Sequence, residues 1–222
     1  MAFDQPSGRE ALALAARLPG LRWAKLGPIL HVGEGPALVR EFAARGVRVF
    51  LDLKWHDIPH TVAGAATAAR ELGVTMASVH CLGGAEMLVA AARAAGDLAL
   101  VGVTVLTSHS PSSFESVVGR GVPDLGLEVT RLARLAVGAG LRGVVASARE
   151  AALLREVLGP VPWIVVPGIR RPGDPPRDQA PLRTATPSEA VRAGATHLVM
   201  GRSITEADDP LAVYQAVMEE IS

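Results

Sequence analysis

Eight short apolar runs alternate with longer Ala- and Leu-rich stretches of helical period, and Gly, Pro or Asp stands at the joins. That repetition predicts an α/β fold, a single (β/α)8 barrel spanning residues 1–222, with an open doubly wound sheet as the alternative. A chain of 222 residues with 49% hydrophobic side chains lies within the span of one domain and can bury a substantial core. No shift in composition marks a linker between domains.

Apolar runs bounded by turn residues read as strands buried on both faces, and the stretches between them read as helices by length and period. Taken in order, strand Ala2–Asp4 precedes helix Arg9–Leu18, and Arg22–Leu26 precedes Pro36–Arg45. Val47–Leu53 leads to His60–Leu72, where Pro59 suits a first helical turn, and Val74–Val79 leads to Ala85–Ala95. Ala99–Leu106 is followed by Leu125–Gly140, with a short extra turn at Ser112–Val118. Gly143–Ala146 precedes Ala148–Leu158, Trp163–Val166 precedes Pro187–Ala193, and His197–Met200 precedes Pro210–Glu220. The loop Arg170–Pro181 is rich in Pro, Gly and charge; at that length in a barrel it reads as a lid.

A formal net charge of zero provides no long-range field to collect nucleic acid or an anionic membrane, so any anionic ligand must be held locally. Cys81 is the only cysteine, which excludes an intramolecular disulfide and multi-cysteine metal sites and fits a reducing, cytoplasmic setting. The opening MAFDQPSGRE has neither a basic nor an apolar leader region, and no apolar run reaches about 18 residues, so neither secretion nor membrane insertion is expected. Of 22 basic residues only Lys25 and Lys54 are lysines. Both fall at predicted strand ends, where a compact ammonium with a transferable proton does what a guanidinium cannot.

In a barrel the chemistry lies at the C-terminal ends of the strands. Asp52 and Lys54 in VRVFLDLKWHDIPHT are two apart on a strand, which puts both on the face that points into the mouth. Asp57 just beyond would add a second anion and give the order anion, cation, anion. The same residues also read as an ion pair closing the barrel top, with Asp57 as a helix cap and Thr61 on its face. Asp4 and Lys25 end strands one and two and complete a ring of charge. Thr107 and Ser108, at the end of strand five, offer hydroxyls to a polar ring or serve as turn formers. Gly201 and Arg202 follow strand eight, where barrels commonly hold phosphate, and Arg170 with Gln179 on the long loop can close over an anion. His80 ends strand four and reads as a core histidine.

The run DLKWHDIPHT from Asp52 to Thr61 resembles the D-x-K-x-x-D-I-x-x-T signature of the orotidine 5'-phosphate decarboxylase family in its bacterial form. Phe3-Asp4, Lys25-Leu26-Gly27, VTVLTS at 103–108, GVVASA at 143–148, Pro167-Gly168-Ile169-Arg170, Asp178-Gln179 and Met200-Gly201-Arg202 follow in the family's order. The resemblance implies a (β/α)8 TIM barrel that acts as a homodimer without metal or organic cofactor and converts orotidine 5'-phosphate to UMP and carbon dioxide in pyrimidine biosynthesis. It implies Lys54 as proton donor to C6, Asp52 and Asp57 beside the reacting carboxylate, and Asp57 and Thr61 reaching into the partner's site. It further implies Asp4 and Lys25 on the ribose, Thr107 at the base, and Arg170, Gln179, Gly201 and Arg202 on the phosphate. Leu26 stands where the family more often has Val, and Val166 where it has Thr.

Magnesium-dependent sugar-phosphate barrels, such as keto-gulonate phosphate decarboxylase and hexulose phosphate synthase, share the D-x-K-x-x-D core. The Ile58-Pro59-His60-Thr61 continuation with Arg170 and Gln179 favours the nucleotide enzyme. A non-catalytic nucleotide-binding barrel is the other alternative, and it would have no need of the Asp52/Lys54/Asp57 array.

Overall fold

The computed structural model describes residues 1–174 and 184–221. Eight parallel strands lie in sequence order, β1 Ala2–Phe3, β2 Trp23–Leu26, β3 Arg48–Trp55, β4 Met76–His80, β5 Ala99–Val103, β6 Gly143–Val145, β7 Trp163–Pro167 and β8 His197–Val199. The Ala2 N–H donates to the Met200 carbonyl at 2.6 Å and brings β1 against the end of β8. The predicted barrel is therefore the fold, and the open sheet is not.

The helices are α1 Gly8–Ala16, α2 Pro28–Ala44, α3 Pro59–Glu71, α4 Gly84–Ala95, α5 Pro111–Val118, α6 Leu125–Gly138, α7 Ala148–Leu158, α8 Pro187–Arg192, α9 Arg202–Thr205 and α10 Pro210–Glu220. A 3-10 turn at Cys81–Gly83 joins β4 to α4. Alternation along the strands sorts the core into two layers. Phe50, Met76, Val101 and Val165 fill the barrel interior, with Trp23 and Trp163 packed against them. Phe3, Leu51, Val79, Leu100 and Ile164 face outward onto Phe42, Leu88, Leu132 and Leu154 of the helices. The rings of Phe3 and Phe42 meet at 5.1 Å.

Among the boundaries that differ from expectation, those of α2, β5 and β3 bear on the frame of the site. Helix α2 begins at Pro28, not Pro36, and is kinked at Gly35, whose φ of 60° only glycine adopts freely. Gly27-Pro28 and Gly35-Pro36 are two successive helix starts, each with proline where its missing N–H costs nothing. Strand β5 stops at Val103 instead of Leu106, although Thr104 still donates its N–H and hydroxyl to the Val145 carbonyl at 3.2 and 3.0 Å. Strand β3 runs two residues past Leu53 to Trp55 because it bulges.

Candidate active site

The C-terminal ends of the strands surround a cavity of about 770 Å³. Of the residues singled out in the sequence, Asp4, Lys25, Asp52, Lys54, Thr107, Arg170, Gly201 and Arg202 line it. Phe50, Asp52 and Lys54 all face inward, as spacing by two requires.

Asp52 is the hub of the charge. Its Oδ2 lies 3.0 Å from Lys54 Nζ and 3.6 Å from Lys25 Nζ, and Lys25 Nζ in turn lies 3.8 Å from Asp4 Oδ1. The other oxygen, Oδ1, accepts from the Ser78 hydroxyl at 2.7 Å. Burial alone would raise the Asp52 carboxyl, but the Lys25 and Lys54 ammoniums and the Ser78 hydrogen bond outweigh it and hold the group below the usual carboxylate range. The cluster thus presents an ionised carboxylate between two lysines, with the Lys54 side chain 36% exposed to the cavity.

Lys54 is, among the described residues, the only one besides glycine with a positive φ, 52°. The bulge in β3 falls on this stretch, since register with β4 shifts between Leu51 and Trp55. Backbone held in a sparsely populated region at the mouth of a barrel is characteristic of functional positions.

Asp57 does not join the cluster within the chain. Strand β3 ends at Trp55, and a bend carries Asp57 out to the rim, where it is exposed and its Oδ1 accepts from the Ile58 N–H at 2.6 Å. The residue at the cap of α3 is Ile58, and Asp57 makes no capping bond to the helix. Thr61 is also exposed, one turn into α3, and Ser108 is exposed on the turn after β5 beside the cavity-lining Thr107. Asp57, Thr61 and Ser108 do not line the cavity.

The long loop leaves β7 through Pro167-Gly168, and its two ends are tied where Ile169 bridges Ala185 and the Arg170 N–H donates to the Ala185 carbonyl at 2.9 Å. Arg171 and Asp174 hold each other across the start of the loop, N–H to Oδ2 at 2.9 Å and Nη2 to Oδ1 at 3.5 Å. Gln179 lies outside the described residues. Gly201 stands at the start of α9, with Arg202 its first helical residue.

Two inward residues of β4 went unassigned or undervalued in the sequence. Ser78 is completely buried, and a serine within Met-Ala-Ser-Val-His was the signal, a hydroxyl on the face that two residues later carries His80. His80 stacks on His56 with centroids 5.5 Å apart and accepts from the Leu82 N–H at Nδ1, 3.3 Å away. Burial, reinforced by the charges of His56 and Lys54, pushes His80 down to about 4, so it is neutral at pH 7.

A family model described as orotidine 5'-phosphate decarboxylase / HUMPS family matches residues 1–217. A relative named orotidine 5'-phosphate decarboxylase from Alkalilimnicola ehrlichii is 50% identical, the match covering 100% of this chain and 95% of that protein. One of the same name from Halorhodospira halophila is 48% identical over 100% of this chain and 94% of its own length. The crystal structure of orotidine 5'-phosphate decarboxylase from Lactobacillus acidophilus superposes with a TM-score of 0.88 at 33% identity, covering 100% of this chain and 97% of that one. No helix among the described residues is long and apolar enough to cross a membrane.

Proposed function

The chain belongs to the orotidine 5'-phosphate decarboxylase family, and from that premise we propose that it converts orotidine 5'-phosphate to UMP and carbon dioxide with Lys54 as the proton donor. The observation that carries the assignment of roles is the Asp52–Lys54 contact at 3.0 Å in the mouth of the cavity, with Lys25 at 3.6 Å from the same carboxylate oxygen.

Breaking the C6–carboxylate bond leaves its electron pair on C6, where the pyrimidine ring delocalises it poorly. An ammonium placed at that carbon stabilises the developing charge, then gives it a proton and completes UMP; water later reprotonates the amine. Asp52 supports this by holding Lys54 in place and keeping it paired until the substrate arrives. Asp4 and Lys25, linked to the same array, take the ribose hydroxyls, and Thr107 meets the base. Gly201, Arg202 and Arg170, which line the same cavity, hold the phosphate, a role that the resemblance also gives to Gln179, outside the described residues. Binding energy from that remote group is available at C6 only in the closed complex.

The enzyme is a homodimer in this reading, and Asp57 and Thr61 complete the partner's site. Support comes from their exposure on either side of Ile58, which is 65% exposed, with Ile29 and Val32 of α2 exposed as well, 61% and 86%. Large apolar side chains left exposed suit a subunit contact.

The test is a continuous ultraviolet assay of orotidine 5'-phosphate conversion with excess EDTA. Turnover unaffected by the chelator supports the nucleotide reaction without metal. Folded protein that leaves this substrate untouched and acts on a sugar phosphate only with magnesium overturns it.

A further inference from the structure

We infer that Ser78 is a positioning residue for this reaction, holding the Lys54 backbone in its left-handed conformation and locking the orientation of the Asp52 carboxylate. The inference rests on the proposed role of Lys54 and adds a residue that acts through it.

Strand pairing shows why a hydroxyl is needed. Leu51 pairs with Ala77 and Trp55 with Val79, so four steps along β3 are matched by only two along β4. A parallel ladder cannot supply backbone partners to the extra residues, and a buried N–H without a partner is costly. The Lys54 N–H finds one in Ser78 Oγ at 2.9 Å. That acceptance leaves the hydroxyl's single proton for Asp52 Oδ1, 2.7 Å away. Ser78 is 0% exposed, and water does not reach it to compete for either bond.

One side chain therefore ties the backbone of the proton donor to the side chain of its counter-ion. With Oδ1 occupied by Ser78, Oδ2 is the atom that faces Lys54 Nζ at 3.0 Å and Lys25 Nζ at 3.6 Å. Asp52 has no rotation open to it that keeps all three partners. Lys54, at φ 52°, is anchored by its N–H from below and its ammonium from above, which leaves the aliphatic stem spanning a fixed distance. Without the hydroxyl the bulge relaxes toward ordinary strand geometry and the ammonium leaves its place, while Arg170, Gly201 and Arg202, which follow β7 and β8, remain where they are.

That separation of effects is the experiment. Wild type, Ser78→Ala, Ser78→Cys and Lys54→Ala are assayed for kcat and KM, with UMP affinity by calorimetry and thermal melting alongside. Ser78→Ala is expected to lower kcat on the order of 10- to 100-fold, the scale of a hydrogen bond to a charged group, while KM and UMP affinity stay within about 3-fold. Ser78→Cys keeps the shape and most of the packing but bonds weakly, and it falls between the two; it carries the test if Ser78→Ala does not fold. Folded variants with kcat within about 2-fold of wild type overturn the inference, as does a loss that appears in KM alone. Lys54→Ala separates the two levels. Inactive Lys54→Ala beside fully active Ser78 variants rejects Ser78 alone, whereas active Lys54→Ala rejects the reading beneath it.

Discussion

Lys54 Nζ lies 3.0 Å from Asp52 Oδ2 although the lysine's own backbone sits in the left-handed region, at φ 52°. A lysine needed only to close an ion pair at the barrel top has no reason to adopt that conformation, which L-residues enter at a cost of about 1–2 kcal/mol. Lys54→Ala is expected to lower turnover by about 10³-fold or more while UMP still binds measurably. Lys54→Arg should not rescue it, because a guanidinium does not release its proton. Steady-state kinetics with calorimetric UMP binding checks both; near-normal turnover in either variant removes Lys54 from the role.

Arg202 lines the cavity at the start of α9, next to Gly201. If the phosphate is held there and its binding is used at C6, Arg202→Ala raises KM and also reduces kcat/KM, by roughly 10²-fold or more. A neutral change in both constants, with only a lower melting temperature, would show the arginine to be structural.

Asp57 and Lys54 belong to one motif, yet Asp57 is turned to the rim and enters no ion pair among the described residues. The composite site proposed for a dimer would account for this, and it predicts complementation. Lys54→Ala and Asp57→Ala are each nearly inactive alone, but mixed subunits after dissociation and reassociation contain one site with both wild-type residues. Recovered activity from the mixture supports the shared site, and none from hybrids shown to form rejects it.

The two levels of structure differed in how far the sequence disclosed them. Alternating apolar runs sufficed for a parallel sheet covered on both faces, and the count of eight pointed to the barrel over an open sheet. Asp52 and Lys54 were legible because charge in an apolar strand demands a use, and spacing by two decides the face. Ser78 was not, since a lone small hydroxyl in a strand has the composition of ordinary core, and its value comes from a bulge in the neighbouring strand that local pattern does not reveal. The first half of α2 was hidden by Pro36, which marks a helix start but not the earlier start at Pro28. Asp57 was placed with its cluster by proximity in sequence, and the bend after Trp55 undoes that proximity.

His197 begins β8, at the opposite end of the barrel from the Asp52–Lys54 pair, and makes acid stability testable apart from activity. Its ring lies 4.5 Å from that of Trp163 and 5.4 Å from that of Trp23, with the Arg142 and Arg48 guanidiniums each 5.0 Å from the ring centres of those tryptophans. Burial, with a smaller push from Arg48, lowers the imidazole to about 4 from an ordinary value of 6.5. In the unfolded chain the ring takes a proton near pH 6.5, but in the folded chain only near pH 4, so acid favours the state that binds the proton more readily. The stability contributed by neutral His197 is complete above pH 6.5, declines as pH falls toward 4 and is lost below that. His80 acts in the same direction over the same range. Asp52, whose carboxyl is already depressed below 3.8, adds its loss only at lower pH. The melting temperature of wild type should therefore drop between pH 6.5 and 4, and His197→Gln should drop by less across that interval, while His80 and the buried Met1 amine, lowered from 8.0 to about 5, supply the remainder. Parallel curves for the two proteins would mean that the tryptophan cage accepts a charged imidazole.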